Sequence, residues 1–155
     1  MQISNFKKNH LAELIAALLI FLFVYTAISK LMNIDNFKTV ISKSPVIRRN
    51  AVLLSWLIPS VELFVGLMLF IPASRGYAFL FSSILMGIFT FYVACMLLFI
   101  PNLPCSCGGV IQQMNWTQHL IFNIFFFFLS IFGWRIKRSL DKDFIAINRT
   151  SRTPV

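Results

Sequence analysis

The chain has 155 residues, of which 58% are hydrophobic, 12% are charged and 18 are phenylalanine. Soluble domains are about half apolar and about a quarter charged, so most of this surface must face lipid rather than water. The net charge of +9 lies beside apolar runs, with no basic stripe alternating with aromatics. That placement excludes a nucleic-acid partner and assigns the cations to topology and to anionic lipid headgroups.

Four apolar runs follow in order: Leu11 to Met32, Ala51 to Ile71, Tyr77 to Ile100 and Gln118 to Trp134. Most approach the roughly 20 residues that cross a hydrocarbon core about 30 Å thick, and helices satisfy their backbone groups there. The expected fold is an all-α membrane protein, a four-transmembrane-helix bundle within residues 1–136, followed by a basic polar tail over 137–155.

The first run follows Lys7 and Lys8, as a signal peptide would, and Ala27-Ile28-Ser29 could pass for a cleavage site. It is longer than the usual apolar region of about 7–15 residues, so a retained helix is expected. Glu13 near its start suits the helix dipole. It ends in YTAISKL, where Tyr25 is a hydrogen-bond donor suited to a bound quinone. Lys30 there can snorkel to the interface, or favour a thiolate on the same side of the membrane.

Asn33 to Asn50 reads as a polar, basic loop. The second run, PSVELFVGLML, holds Glu62, the one acid near the middle of a span. Counted from Ala51, Glu62 lies about 16 Å below the outer surface. Such carboxylates mark a proton or ligand path, or tie helices together. Pro59 frees a carbonyl and bends the helix beside it. Because the predicted depths differ, a direct Lys30–Glu62 contact is left open. Pro72 to Gly76 is a tight connection, and Cys95 in the third run reads as a small hydrophobe.

The connection before the fourth run, PNLPCSCGG, has no charged residue, and Asn115 and Gln118 mark the next helix start. Two thiols as close as Cys105 and Cys107 can form a disulfide only in a strained ring, and strained disulfides are the labile or catalytic ones. Pro104 stiffens the approach, and Gly108 and Gly109 leave room for a partner's sulfur. With Met114 and His119, the pair also makes a soft donor set for Cu(I), although the spacing matches no strong zinc pattern. Redox exchange ranks above copper.

Four crossings put both termini and the second loop on one side, with Lys7, Lys8, Arg75, Arg135, Lys137, Arg138, Lys142, Arg149 and Arg152. The opposite side holds Lys38, Lys43, Arg48 and Arg49. The heavier side is cytoplasmic by the positive-inside rule, so both termini are expected inside and the Cys105/Cys107 loop outside.

The order YTAISKL, then PSVELFVGLML, then PCSCGG resembles the MauE branch of the DoxX-like membrane proteins, over roughly residues 12–135. The specific part is Cys-x-Cys-x-Gly, here Cys105, Cys107 and Gly109; Gly108 stands where the family often has a larger residue. The resemblance implies a four-helix protein of the bacterial inner membrane working with a thioredoxin-like periplasmic partner. MauE itself is linked to maturation of the disulfide-rich small subunit of methylamine dehydrogenase, a substrate that does not follow for other members. The expected function is thiol–disulfide exchange through Cys105 and Cys107, with a quinone as membrane electron carrier and Glu62, Tyr25 and Lys30 around it. The direction of electron flow is left open. The alternatives are a non-enzymatic membrane anchor or assembly subunit of a larger complex, and a copper-handling protein.

Overall fold

The computed structural model describes residues 2–43, 48–99 and 115–150. All of its regular elements are helices, and four stretches are long and apolar enough to cross a membrane: Phe6–Met32, Arg48–Phe70, Arg75–Leu98 and Trp116–Asp143. The chain is a multi-pass membrane protein.

Helix α1 (Gln2–Met32) buries Ala12, Ile15, Ala16, Leu19, Leu22, Phe23 and Thr26, a stripe at three- and four-residue spacing. Leu11, Leu14, Leu18 and Phe21 on its other face remain exposed, as a lipid-facing surface requires. A short helix, α2 (Ile34–Lys43), follows at once. Asn33 makes the joint: its side-chain amide donates to Ser29 O at 3.2 Å, and its carbonyl accepts from Phe37 N at 3.0 Å.

The stretch read as a polar loop is thus partly an amphipathic helix. Phe37, Val40 and Ile41 are buried on one face, while Asp35 sits in the first turn, where the dipole favours an acid. Phe37 and Ile41 pack with Ala51, Leu54 and Ile58 of the next span. A 3-10 turn, Arg48–Asn50, leads into that span, α3 (Ala51–Phe70).

Helix α3 keeps Pro59 inside and buries Ala51, Ser55, Pro59, Glu62, Val65, Gly66 and Leu69. Its end is closed by the tight connection the sequence predicts. Ser74 Oγ donates to Met68 O at 2.7 Å and Arg75 Nε donates to Leu69 O at 3.2 Å, satisfying carbonyls the helix leaves open. Helix α4 (Arg75–Phe99) then returns.

The last helix, α5 (Trp116–Thr150), starts where expected: Gln118 Oε1 accepts from Asn115 N at 3.0 Å, half of a capping box. It continues past Trp134, so residues 137–150 extend the helix instead of leaving it. Lys137 pairs with Asp141 one turn on at 2.8 Å, and the Arg138 guanidinium lies 5.1 Å from the Trp134 ring centre.

Around the bundle, α1 touches α3 and α5, and α4 touches α5 and α3. The α4–α5 seam is tightest: a Cβ on Gly133 would come within 2.6 Å of the Phe79 ring, so only glycine admits that ring. The α3–α4 seam is the loosest of the four. One end of the bundle carries α2, the last turns of α4 and the first turns of α5. The other carries the start of α1, the end of α5 and the α3–α4 turn.

Candidate functional site

Near the α2 end, between the helices, lies a cavity of about 410 Å³. Known small-molecule sites run from about 300 to 1,000 Å³. Its walls are Leu22, Phe23 and Thr26 of α1, Phe37, Val40 and Ile41 of α2, and Leu54, Ile58 and Val61 of α3. Leu85, Met86, Phe89 and Val93 of α4 and Phe122 of α5 close the remaining sides.

Its polar residues include Lys30 and Glu62. Lys30 Nζ lies 2.6 Å from Glu62 Oε1 and 2.9 Å from Oε2, so the ammonium donates to both carboxylate oxygens. The two side chains are 11% and 1% exposed. Phe37 and Phe89 flank the ammonium, with ring centres at 5.8 and 5.7 Å, within cation–π range. Each charge has its counter-charge, which is the condition for keeping either away from water.

The contact answers what the counted depths left open: Lys30 turns into the bundle and meets Glu62. The first turns of α3 pack on α2 instead of on α1. Ala51 therefore stands beyond the end of α1, and Glu62 comes within a lysine side chain's reach of Lys30. Depth counted from the start of a helix is misleading when that start overhangs its neighbour.

Tyr25 is elsewhere. It lines a groove with Ala17, Ile20, Phe21, Val24 and Phe70, and its ring stacks on Phe21 at 6.0 Å. The structure does not bring it to the Lys30–Glu62 cavity. Tyr25 and Lys30 stand five positions apart, which turns them to different faces of α1.

Two polar residues on the cavity wall carry more than the sequence reading gave them. His119, read as an interfacial residue or copper ligand, is buried in the first turn of α5, and Asn123 is buried one turn later. The sign was their four-residue spacing inside an apolar run, which places both on one helix face. Pro104, Cys105, Cys107, Gly108, Gly109 and Met114 lie outside the described residues. Among the described residues, no three His, Cys, Asp or Glu side chains group to hold a metal ion. Cys95 is a half-buried free thiol within α4.

Helices, spans and cavity together define a multi-pass helical membrane protein with an ion pair enclosed between its spans. The profile of the family described as methylamine utilisation protein MauE matches residues 8–136, and the chain belongs to that family. Comparison with curated proteins and with solved structures finds no match.

Proposed function

We propose that the chain is a thiol–disulfide exchange protein of the bacterial inner membrane. It passes electrons from a thioredoxin-like periplasmic partner to a membrane quinone through Cys105 and Cys107. The family's description gives the setting, a membrane role in methylamine utilisation.

One observation carries the reading: the cavity adjoins the two helix ends that the Cys-x-Cys connection joins. Val93 is on the last turns of α4 and His119 is on the first turn of α5. The connection runs between those ends and carries both cysteines. The Lys and Arg bias supports a periplasmic position for this end of the bundle.

A partner thiolate attacks one sulfur of the Cys105–Cys107 disulfide, breaking that bond and forming a mixed disulfide. The partner's second thiolate then attacks the mixed disulfide. The partner leaves oxidised, and Cys105 and Cys107 remain as thiols holding two electrons. Re-forming their disulfide releases two electrons and two protons, which a quinone accepts on becoming a quinol. Glu62, held by Lys30, is the proton-handling group beside that acceptor.

The test is oxidation of a reduced dithiol protein by membranes supplied with decylubiquinone. Cys105→Ser and Cys107→Ser are each expected to abolish turnover, and one of them to trap the partner as a mixed disulfide. Full activity in the double variant overturns the proposal. Cysteine-independent co-purification with a partner then assigns the chain to assembly.

A further inference from the structure

The apolar interior is divided in two. Phe37 and Ile41 of α2 and Ala51 of α3 form one cluster with Leu54 and Ile58. A second cluster joins α1, α4, α5 and the rest of α3, to which Val61, Val65 and Leu69 belong. On α3 the boundary falls between Ile58 and Val61, and Pro59 stands there. Proline lacks the N–H that would bond back to Ser55 O, so the helix ladder is broken at the same place. The cavity lies between the clusters, with Phe37, Ile41 and Ile58 on one side and Leu22, Phe23 and Met86 on the other.

The larger cluster is tightly held. Gly66 lets α3 close on α1, where a Cβ would stand 3.5 Å from Val24, and Gly87 and Gly133 draw α4 onto α5. Lys30 stands three positions before the Asn33 joint, and Glu62 three positions after Pro59. Their ion pair therefore staples α1 to α3 just beneath both joints. Beyond the staple, α2 and residues 51–58 of α3 hold to each other through a core of their own.

The edge of this unit meets lipid. Leu57 of α3 and Ile88 of α4 both line the cavity, yet they are 49% and 58% exposed. Leu57 stands 13 positions before Phe70, and Ile88 13 positions after Arg75. The two antiparallel helices thus bring them to one level, about 20 Å from the α3–α4 turn and inside a hydrocarbon core about 30 Å thick. The α3–α4 seam is the loosest around the bundle, so the cavity reaches the lipid along it. At its water-facing end the unit shows the polar side of α2, with Lys38, Thr39 and Ser42 exposed.

We propose that α2 and residues 51–58 of α3 are a flap, jointed at Asn33 and Pro59, that admits a neutral lipid-soluble molecule to the cavity between Leu57 and Ile88. Entry at that depth selects the molecule. An ionic head is costly to bring into hydrocarbon, so a phospholipid can offer only an acyl chain there. A neutral ring on an apolar tail passes whole. The proposal deepens the exchange reading, on which it rests for the identity of the acceptor. It gives that acceptor a side entrance separate from the face that meets a protein partner.

Two experiments test it. The first places spin labels at Lys38→Cys on α2 and Ile121→Cys on α5, in a chain carrying Cys95→Ala, Cys105→Ser and Cys107→Ser in lipid nanodiscs. Pulsed electron resonance is expected to find two distances. Pro59→Ala restores the missing backbone donor and is expected to deplete the longer one by about twofold or more. The second keeps the cysteines and fills the mouth with Leu57→Trp or Ile88→Trp. Either is expected to slow oxidation of the Cys105/Cys107 thiols by decylubiquinone about tenfold, while reduction of their disulfide by dithiothreitol is unchanged. Leu53→Trp, exposed on α3 and outside the cavity wall, should leave both rates as they were.

A single narrow distance, a longer distance undiminished in Pro59→Ala, or mouth variants that behave like Leu53→Trp overturns the flap, and thiols still oxidised by decylubiquinone then leave the exchange reading standing. Thiols that decylubiquinone does not oxidise, beside two distances that respond to Pro59→Ala, retire the exchange reading alone.

Discussion

Lysines near helix ends usually stretch their stems along apolar surface and leave the ammonium in water. Lys30 turns inward to Glu62 instead, and the two make a short, bidentate contact. Removing one member strands the other charge in an apolar site. Lys30→Met and Glu62→Leu alone are therefore expected to destabilise the protein by about 3–5 kcal/mol each. The double substitution should cost less than either, because it leaves no orphan charge. Thermal unfolding of the three variants in one detergent checks this, and additive losses would show that the two residues act independently. If the pair also handles protons, the double variant folds but no longer oxidises a dithiol partner with quinone. The sequence singled out both residues, since an acid inside a span stands out against its neighbours. It could not show them together, because their contact depends on how far α3 overhangs α1.

At the scale of elements, apolar runs showed where lipid would be and not where helices would stop. The fourth run ended at Trp134 in sequence terms, yet α5 continues through Thr150. A helix outside the hydrocarbon needs polar support, and the Lys137–Asp141 pair provides some of it. Helix α2 was legible in principle, since Phe37, Val40 and Ile41 repeat at three- and four-residue spacing. Its ten residues and frequent polar side chains made the segment look like a loop. The α4–α5 seam gives a direct test of packing. Gly133→Ala places a methyl against the Phe79 ring and is expected to cost about 1–3 kcal/mol. Phe79→Leu in the same chain should recover part of that loss, because the two positions are in contact. A neutral Gly133→Ala would mean that the ring can move aside.

For the whole molecule, the four spans were readable from run lengths. Which end faces outward rests on Lys and Arg placement, and that is open to measurement. After mild reduction, a membrane-impermeant maleimide is expected to label Cys105 and Cys107 in intact cells, and to lose that labelling in the double serine variant. Labelling only after permeabilisation would invert the topology. The cavity was not readable, because it exists only where α1, α2, α3, α4 and α5 meet, and no run of residues announces such a meeting.

The placement of Lys30 and Glu62 at the α2 end has an energetic consequence. A unit charge that crosses the bilayer exchanges about 2.3 kcal/mol with each 100 mV of membrane potential. A neutral acceptor held beside this self-cancelling ion pair would cross none of that field. In the proposed exchange, thiols, acceptor and proton group would share the α2 end of the bundle, so electrons and protons would enter and leave on the same face. Turnover is then electrically silent: it should run at the same rate in energised and uncoupled vesicles, and an ionophore should leave it unchanged.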